Sequence, residues 1–154
     1  MSGGPMNIRP FEERDRDACL KLAPRLMENV NPFHDDGTGP IDTVEWMLEA
    51  QQVQQTPQAV FVAEDDQGVA GMVKVFIKGQ LVGQKEAYVD GLAVQERVSR
   101  QGVGTALMTA CEEWAAGRGH RWVHIETPAK NQTARDFYAA IGYGEEVVKL
   151  SKGI

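Results

Sequence analysis

The chain has 154 residues and a mass of 17.0 kDa, a length that as a rule holds one domain. Its composition, 42% hydrophobic and 25% charged, is that of an ordinary globular domain and excludes a disordered, collagenous or disulfide-built chain. Sixteen Lys and Arg against 22 Asp and Glu leave a net charge of −6, which argues against nucleic acid, whose phosphates attract cationic surfaces, and suits a cationic small molecule.

No run reaches the roughly 18 apolar residues that a membrane span needs, so no membrane partner is expected. The start, MSGGPMNIRP, lacks the basic-then-apolar order of a signal peptide, and residues 1–6 read as a disordered leader to a single domain over 1–154. Cys19 and Cys111 lie far apart in helical patterns and read as two buried thiols of a cytoplasmic protein. His34, His120 and His124 have no metal-type spacing, so no metal is expected.

In chain order, Ile8 lies in a short strand pattern. A helical stretch follows from about Asp15 to Met27, with Ala18, Leu22 and Leu26 on one face and Pro24 set to kink or shorten it. NVNPFHDDGTGP (29–40) is the longest loop by its turn formers. Asp42 and Glu45 have the spacing of a capping box, opening a helix with Val44, Met47, Leu48 and Val53 that fades before Pro57.

From residue 58 the period becomes that of strands. AVFVAE, a DDQG turn and VAGMVKVFIKG read as a hairpin, and AYVDGLAV (87–94) as a third strand. RQGVGTALMTACEEWAAGRG runs from a glycine turn into a helix whose buried stripe is Val103, Leu107, Ala110 or Cys111, and Trp114, stopped by Gly117 and Gly119. WVHIET (122–127) is a strand, Gln132 to Ile141 a helix ended by Gly142, and EVVKLSK a last strand. The order β-α-α-β-β-β-α-β-α-β predicts an α+β fold, a mixed sheet with helices on both faces.

Two segments bear on chemistry. In the first, a strand enters Gly102 and Gly104 at a helix start, where backbone N–H groups and the helix dipole favour an anion. No third glycine stands at 107 and no Lys-Ser or Lys-Thr follows, so neither a Rossmann nor a Walker loop fits. The second is NQTARDFYAAIGY (131–143), a short helix with Ala134, Phe137 and Ile141 as its apolar stripe and Tyr138 beside it.

A strand ending in LAV, then GVGTALM, then N…ARDFYAAIGY, in that order, resembles the GNAT superfamily of acyl-CoA-dependent N-acetyltransferases. The likeness runs from about Ile8 onward and is strongest over 86–143. The family's phosphate loop begins with Gln or Arg three residues before its first glycine; here that place is Ser99, with Arg97, Arg100 and Gln101 nearby as sources of charge and donors.

The resemblance implies a GNAT-like sheet in which the strands 87–94 and 122–127 run parallel and splay apart, with acetyl-CoA in the gap. Main chain of Leu92, Ala93 and Val94 would pair with the pantetheine arm as an added strand. N–H groups of Arg100, Gln101, Gly102, Val103, Gly104 and Thr105 would hold the diphosphate. Asn131 would bond to the pantetheine region, and Tyr138 would reach the thioester sulfur.

Acyl transfer to nitrogen calls for a base on the ammonium, donors for the oxyanion and an acid for the departing thiolate. These roles fall to Asp90, the Leu92 N–H at a bulge, and Tyr138. Asp90 stands where the similar segment of the polyamine acetyltransferase branch carries a glutamate, one methylene longer, so a water relay fits. Glu126, His124 and Glu86 are rival bases. Phe33, His34 and Asp35, with Asp36, would wall the acceptor site, together with Asp90 and Glu126; Trp46 reads as a core anchor.

The acceptor implied is a small primary amine, cationic by the charge balance. GYGEEVVKLSK also resembles the tails of aminoglycoside acetyltransferases. Acetylation of a lysine side chain or a protein N-terminus is an alternative, as are a non-catalytic acyl-CoA sensor and a nucleotide-phosphate module resting on GVG. The single strand after the last helix leaves an edge for a second copy, so a homodimer is expected.

Overall fold

The alternating run from residue 58 folds as a meander, because its β-branched residues bury on both faces of a sheet. A computed structural model describes residues 4–26, 40–53, 56–79 and 85–154, with the side chains of 40–42 and 50–53 left undescribed. Its elements are β1 (Asn7–Pro10), α1 (Arg16–Leu20), α2 (Ala23–Leu26), α3 (Pro40–Val53), β2 (Gln58–Asp65), β3 (Gly68–Gly79), β4 (Lys85–Val94), α4 (Val103–Ala116), β5 (Val123–Ile125) and α5 (Gln132–Ala140). The chain divides into two compact units, one containing the described residues up to Glu126 and the other running from Thr127 to Ile154.

In the first unit the sheet order is β1-β2-β3-β4-β5. All neighbours are antiparallel except β4 and β5, which are parallel, so the sheet is mixed as expected. β2 and β3 join through a two-residue turn in which Asp65 pairs with Gly68 and the Gln67 N–H donates to Asp65 Oδ1 at 2.9 Å. Cys19, Leu22, Ala23, Val44, Met47 and Leu48 pack with Val60, Val62, Met72 and Ala93 in one buried cluster, which covers one face with α1, α2 and α3. On the other face Leu107 and Val103 of α4 lie against Gly71.

β1 is held by charge as well as by its ladder. Arg9 donates to both Asp15 oxygens at 2.7 and 2.8 Å and to Glu64 at 2.8 Å. Asp15 also accepts the Glu12 N–H, and the Arg9 guanidinium holds its carboxyl below the ordinary range. Gly4, inside the expected leader, donates its N–H to Asp66.

Several elements differ in detail from the sequence reading. The stretch after Asp15 is two short helices, because Pro24 has no N–H to offer the turn before it and the chain bends at Lys21 and Leu22. α3 starts at Pro40, a residue preset for a first helical position, so Asp42 lies inside the first turn rather than ahead of it. The buried stripe of α4 is Val103, Leu107, Met108, Cys111 and Ala115; Ala110 and Trp114 sit at its half-buried edge.

In the second unit Asn131 caps α5, accepting the Ala134 N–H at 3.1 Å, and Gly142 at φ +100° follows its end. The last strand expected over EVVKLSK is not formed. Val147, Val148 and Leu150 are all exposed, so the segment buries none of the apolar side chains that a strand would set into a core.

Among the described residues no helix is long and apolar enough to cross a membrane, and no group of three His, Cys, Asp or Glu could hold a metal. Cys19 and Cys111 are both fully buried, and burial pushes each thiol up to about 12. The thiolate is the reactive form, so the native protein at about pH 8 should show no thiol fast toward an aromatic disulfide reagent, and two after unfolding. A fast native thiol would place one of them outside the core.

Candidate active site

The centre of interest is β4. Its register with β3 pairs Lys74 with Asp90 and then Met72 with Ala93, so Gly91 and Leu92 both stand opposite Val73. This extra residue is a β-bulge, the one expected at Leu92. Gly91 has φ +63°, and a Cβ there would stand 2.6 Å from Met47 Sδ and closer still to Cε. Backbone conformation therefore favours glycine there, and any Cβ would also displace the tip of the Met47 side chain.

On its other side β4 pairs with β5 only over Ala87–Val123, Tyr88–His124 and Val89–Ile125. The parallel pair then ends while β4 continues to Val94. Main chain from Asp90 to Val94 thus has, on that side, no strand partner among the described residues. The Ala93 side chain is buried in the core, and the Val94 carbonyl accepts from Arg25 Nε at 3.0 Å, which leaves its second lone pair.

Beyond β4 the chain is tied down before it turns. Gln95 donates its N–H to the Ala70 carbonyl at 2.8 Å and its amide to the Val69 carbonyl at 3.1 Å. Arg97 donates to both Asp65 oxygens at 2.6 and 3.0 Å and holds that carboxyl below its ordinary range. Arg97, one of the charges near Ser99, is therefore committed to the β2–β3 turn. Gln101 Nε2 in turn donates to the Arg97 carbonyl.

Arg100 at φ +61° and Gly102 at φ +81° are both left-handed, and Arg100 is strained by it. Successive N–H groups in such a turn converge into an anion-binding concavity. Gly102 caps α4 with no side-chain bond, so the first-turn N–H groups of Val103, Gly104 and Thr105, which a helix cannot satisfy itself, extend the concavity. Arg100, Gln101, Gly102 and Thr105 are exposed. Backbone, dipole and charge there fit a diphosphate.

Asp90 is exposed on the face of β4 that also bears Glu86 and Tyr88. His124 Nε2 lies 2.6 Å from Glu86 Oε2, and its ring lies tilted by 31° against Tyr88 with centroids 5.0 Å apart. These two rival bases are engaged with each other, whereas Glu126 is exposed just past β5.

The sequence reading passed over Lys74, the cross-strand partner of Asp90. It is 4% exposed, with Nζ 3.4 Å from the Met47 carbonyl and over the rings of Trp46 and Phe76 at 5.1 and 5.7 Å. Burial lowers its pKa and Asp90 opposes that shift. The available signal was a lysine inside the apolar run VKVFI, where a strand buried on both faces has little room for charge. Trp46 is 58% exposed, which corrects its reading as a core anchor.

In the second unit Tyr138 is half-buried, with ring contacts to Phe137 at 5.1 Å and Tyr143 at 5.9 Å. The Asn131 oxygen is spent on capping α5. Phe33, His34, Asp35 and Asp36 lie outside the described residues.

The model of the acetyltransferase (GNAT) family matches residues 24–143. The chain belongs to that family. This acetyltransferase is 25% identical over 142 residues to an uncharacterized N-acetyltransferase, YhfO, of Bacillus subtilis, covering 92% of the chain and 91% of the relative. It is 32% identical over 93 residues to an aminoglycoside N(6')-acetyltransferase type 1 of Klebsiella aerogenes, covering 58% of the chain and 61% of that protein. Its fold matches a solved aminoglycoside N-acetyltransferase, AAC(6')-Iy, in complex with CoA, with a TM-score of 0.75 at 21% identity over 99% of this chain and 97% of the other. The chain is thus an N-acetyltransferase of this family, with the fold expected of it.

Gly91→Ala tests the bulge. Left-handed strain of about 1–2 kcal/mol, with the tip of Met47 pushed aside as well, should move the urea midpoint clearly downward. A midpoint unchanged from wild type would mean that β4 and α3 give way freely.

Proposed function

We propose that this acetyltransferase moves an acetyl group from acetyl-CoA to a small primary amine, which attacks directly in a ternary complex. The carrying observation is the stretch of β4 beyond Val89, whose main chain has left β5 while the bulge turns Leu92 out of register. Bound acyl-CoA supplies the activated acyl carbon. Main chain of Leu92, Ala93 and Val94 offers donors and acceptors to an extended arm, and the turn from Arg100 to Thr105 offers N–H groups to phosphates.

In this reading Asp90 removes a proton from the acceptor ammonium, directly or through a water. The Leu92 N–H stabilises the oxyanion. Tyr138 gives its phenolic proton to the departing sulfur, a role that follows from the likeness of ARDFYAAIGY to the family motif, while Asn131 contributes its amide nitrogen near the pantetheine. Glu126 stands on the acceptor side. The net charge of −6 favours an acceptor that arrives as a cation, and the aminoglycoside acetyltransferase relative supports a small molecule rather than a protein.

Thiol release from acetyl-CoA against a panel of amines, aminoglycosides and peptides tests this reading. The expected result is turnover with small amines; turnover with peptides alone would overturn the choice of acceptor. Asp90→Asn should lose most activity near neutral pH and recover part of it at high pH, where the amine is already deprotonated. A pH–rate profile parallel to wild type would move the base to Glu126. Tyr138→Phe keeps the ring contacts, so Tm should hold while kcat falls about 10²-fold, the lower end for acid catalysis, with KM little changed. A kcat within twofold of wild type, with chemistry rate-limiting, would leave Tyr138 a packing residue.

A further inference from the structure

Lysine is seldom enclosed without a carboxylate bonded to it, yet Lys74 is buried with the Met47 carbonyl as the hydrogen-bond partner of its ammonium. Among the described residues two ring faces also meet it, Trp46 at 5.1 Å and Phe76 at 5.7 Å, and Asp90 is its partner across the β3–β4 ladder. Side chains of paired residues lie on one face of a sheet, within a few ångströms at their bases. Aromatic faces, a carbonyl and a carboxylate are the groups that recognise an organic ammonium. Here two rings and a carbonyl lie against an ammonium that belongs to the protein, and the carboxylate stands on the paired residue of the next strand. Trp46 and Asp90 are exposed, so the cluster borders the surface on which Asp90 acts.

We propose that Lys74 is a specificity-determining residue: its ammonium fills the cation-recognising place beside Asp90, so the acceptor is an amine with one ammonium and a neutral or anionic remainder. The inference rests on the reading of Asp90 as the acceptor-side base. A second cation carried in beside Asp90 meets a like charge in partly desolvated surroundings, where repulsion exceeds that in bulk water. A neutral remainder meets no such charge, and a carboxylate meets an attractive one. The cationic character suggested by the net charge is thereby confined to the reacting amine itself.

The test compares n-butylamine, 1,4-diaminobutane and 4-aminobutyrate, amines of equal chain length whose far ends are neutral, cationic and anionic. The full chain and acetyl-CoA are used, with thiol release as readout. Wild type should use the diamine least. In Lys74→Met, which keeps an unbranched side chain among the rings, the diamine-to-monoamine ratio of kcat/KM should rise at least tenfold. Lys74→Gln should do the same while retaining a donor for the Met47 carbonyl, and Lys74→Arg, which keeps the charge, should hold the wild-type ratio.

A ratio within twofold of wild type in either folded neutral variant, or a wild type that prefers the diamine, would overturn this inference alone. A wild type that binds CoA in calorimetry but releases no thiol with any of a broad panel of amines would overturn the transferase reading beneath it, and this inference too.

Discussion

The extra residue in β4 is the constraint on which the rest depends. A strand flanked on both sides along its whole length has no backbone left to offer a ligand. β4 keeps β3 to its end but parts from β5 after Val89, and the bulge at Gly91 and Leu92 falls in the part thus freed. The left-handed φ at Gly91 accompanies the kink, and the Met47 side chain lies against that glycine. One position thereby couples the helical layer to the geometry of the main chain that the proposed chemistry uses.

Charge is arranged in two different ways around this strand. Arg9 with Asp15 and Glu64, and Arg97 with Asp65, join β1 and the turn after β4 to the β2–β3 hairpin. Their geometry is that of forked, charge-assisted bonds, which fix orientation as well as add energy. Among the described residues Lys74 has no such partner and lies against rings and a carbonyl. An enclosed charge without a bonded counter-ion costs stability, and a chain keeps such a cost most readily where function uses the charge.

The hairpin, the third strand and the long helix after the glycine turn were legible because their apolar residues repeat at a single period over many positions. The bulge was legible as a place, through DGLAV, but not as a conformation, and the contact of Gly91 with Met47 joins positions 44 residues apart in the sequence. Lys74 escaped notice because its partners come from α3 and β4, and no local spacing brings Trp46, Phe76 and Asp90 together. EVVKLSK looked like a strand by composition alone, whereas a strand exists only by virtue of a neighbour. The family likeness carried the role of Tyr138, since nothing in the period of its helix distinguishes an acid from a packing ring.

The Arg9 fork also bears on the order in which the chain assembles. β2 and β3 close over a two-residue turn, but Arg9 meets Glu64 across a separation of 55 residues. Loop closure over such a span carries a much larger entropic penalty than closing a tight turn, and contacts of that kind slow folding. β1 has nothing to pair with until the edge of β2 exists. The first described strand is thus an addition to the edge of the meander, and its arginine latches the two together across 55 residues of chain.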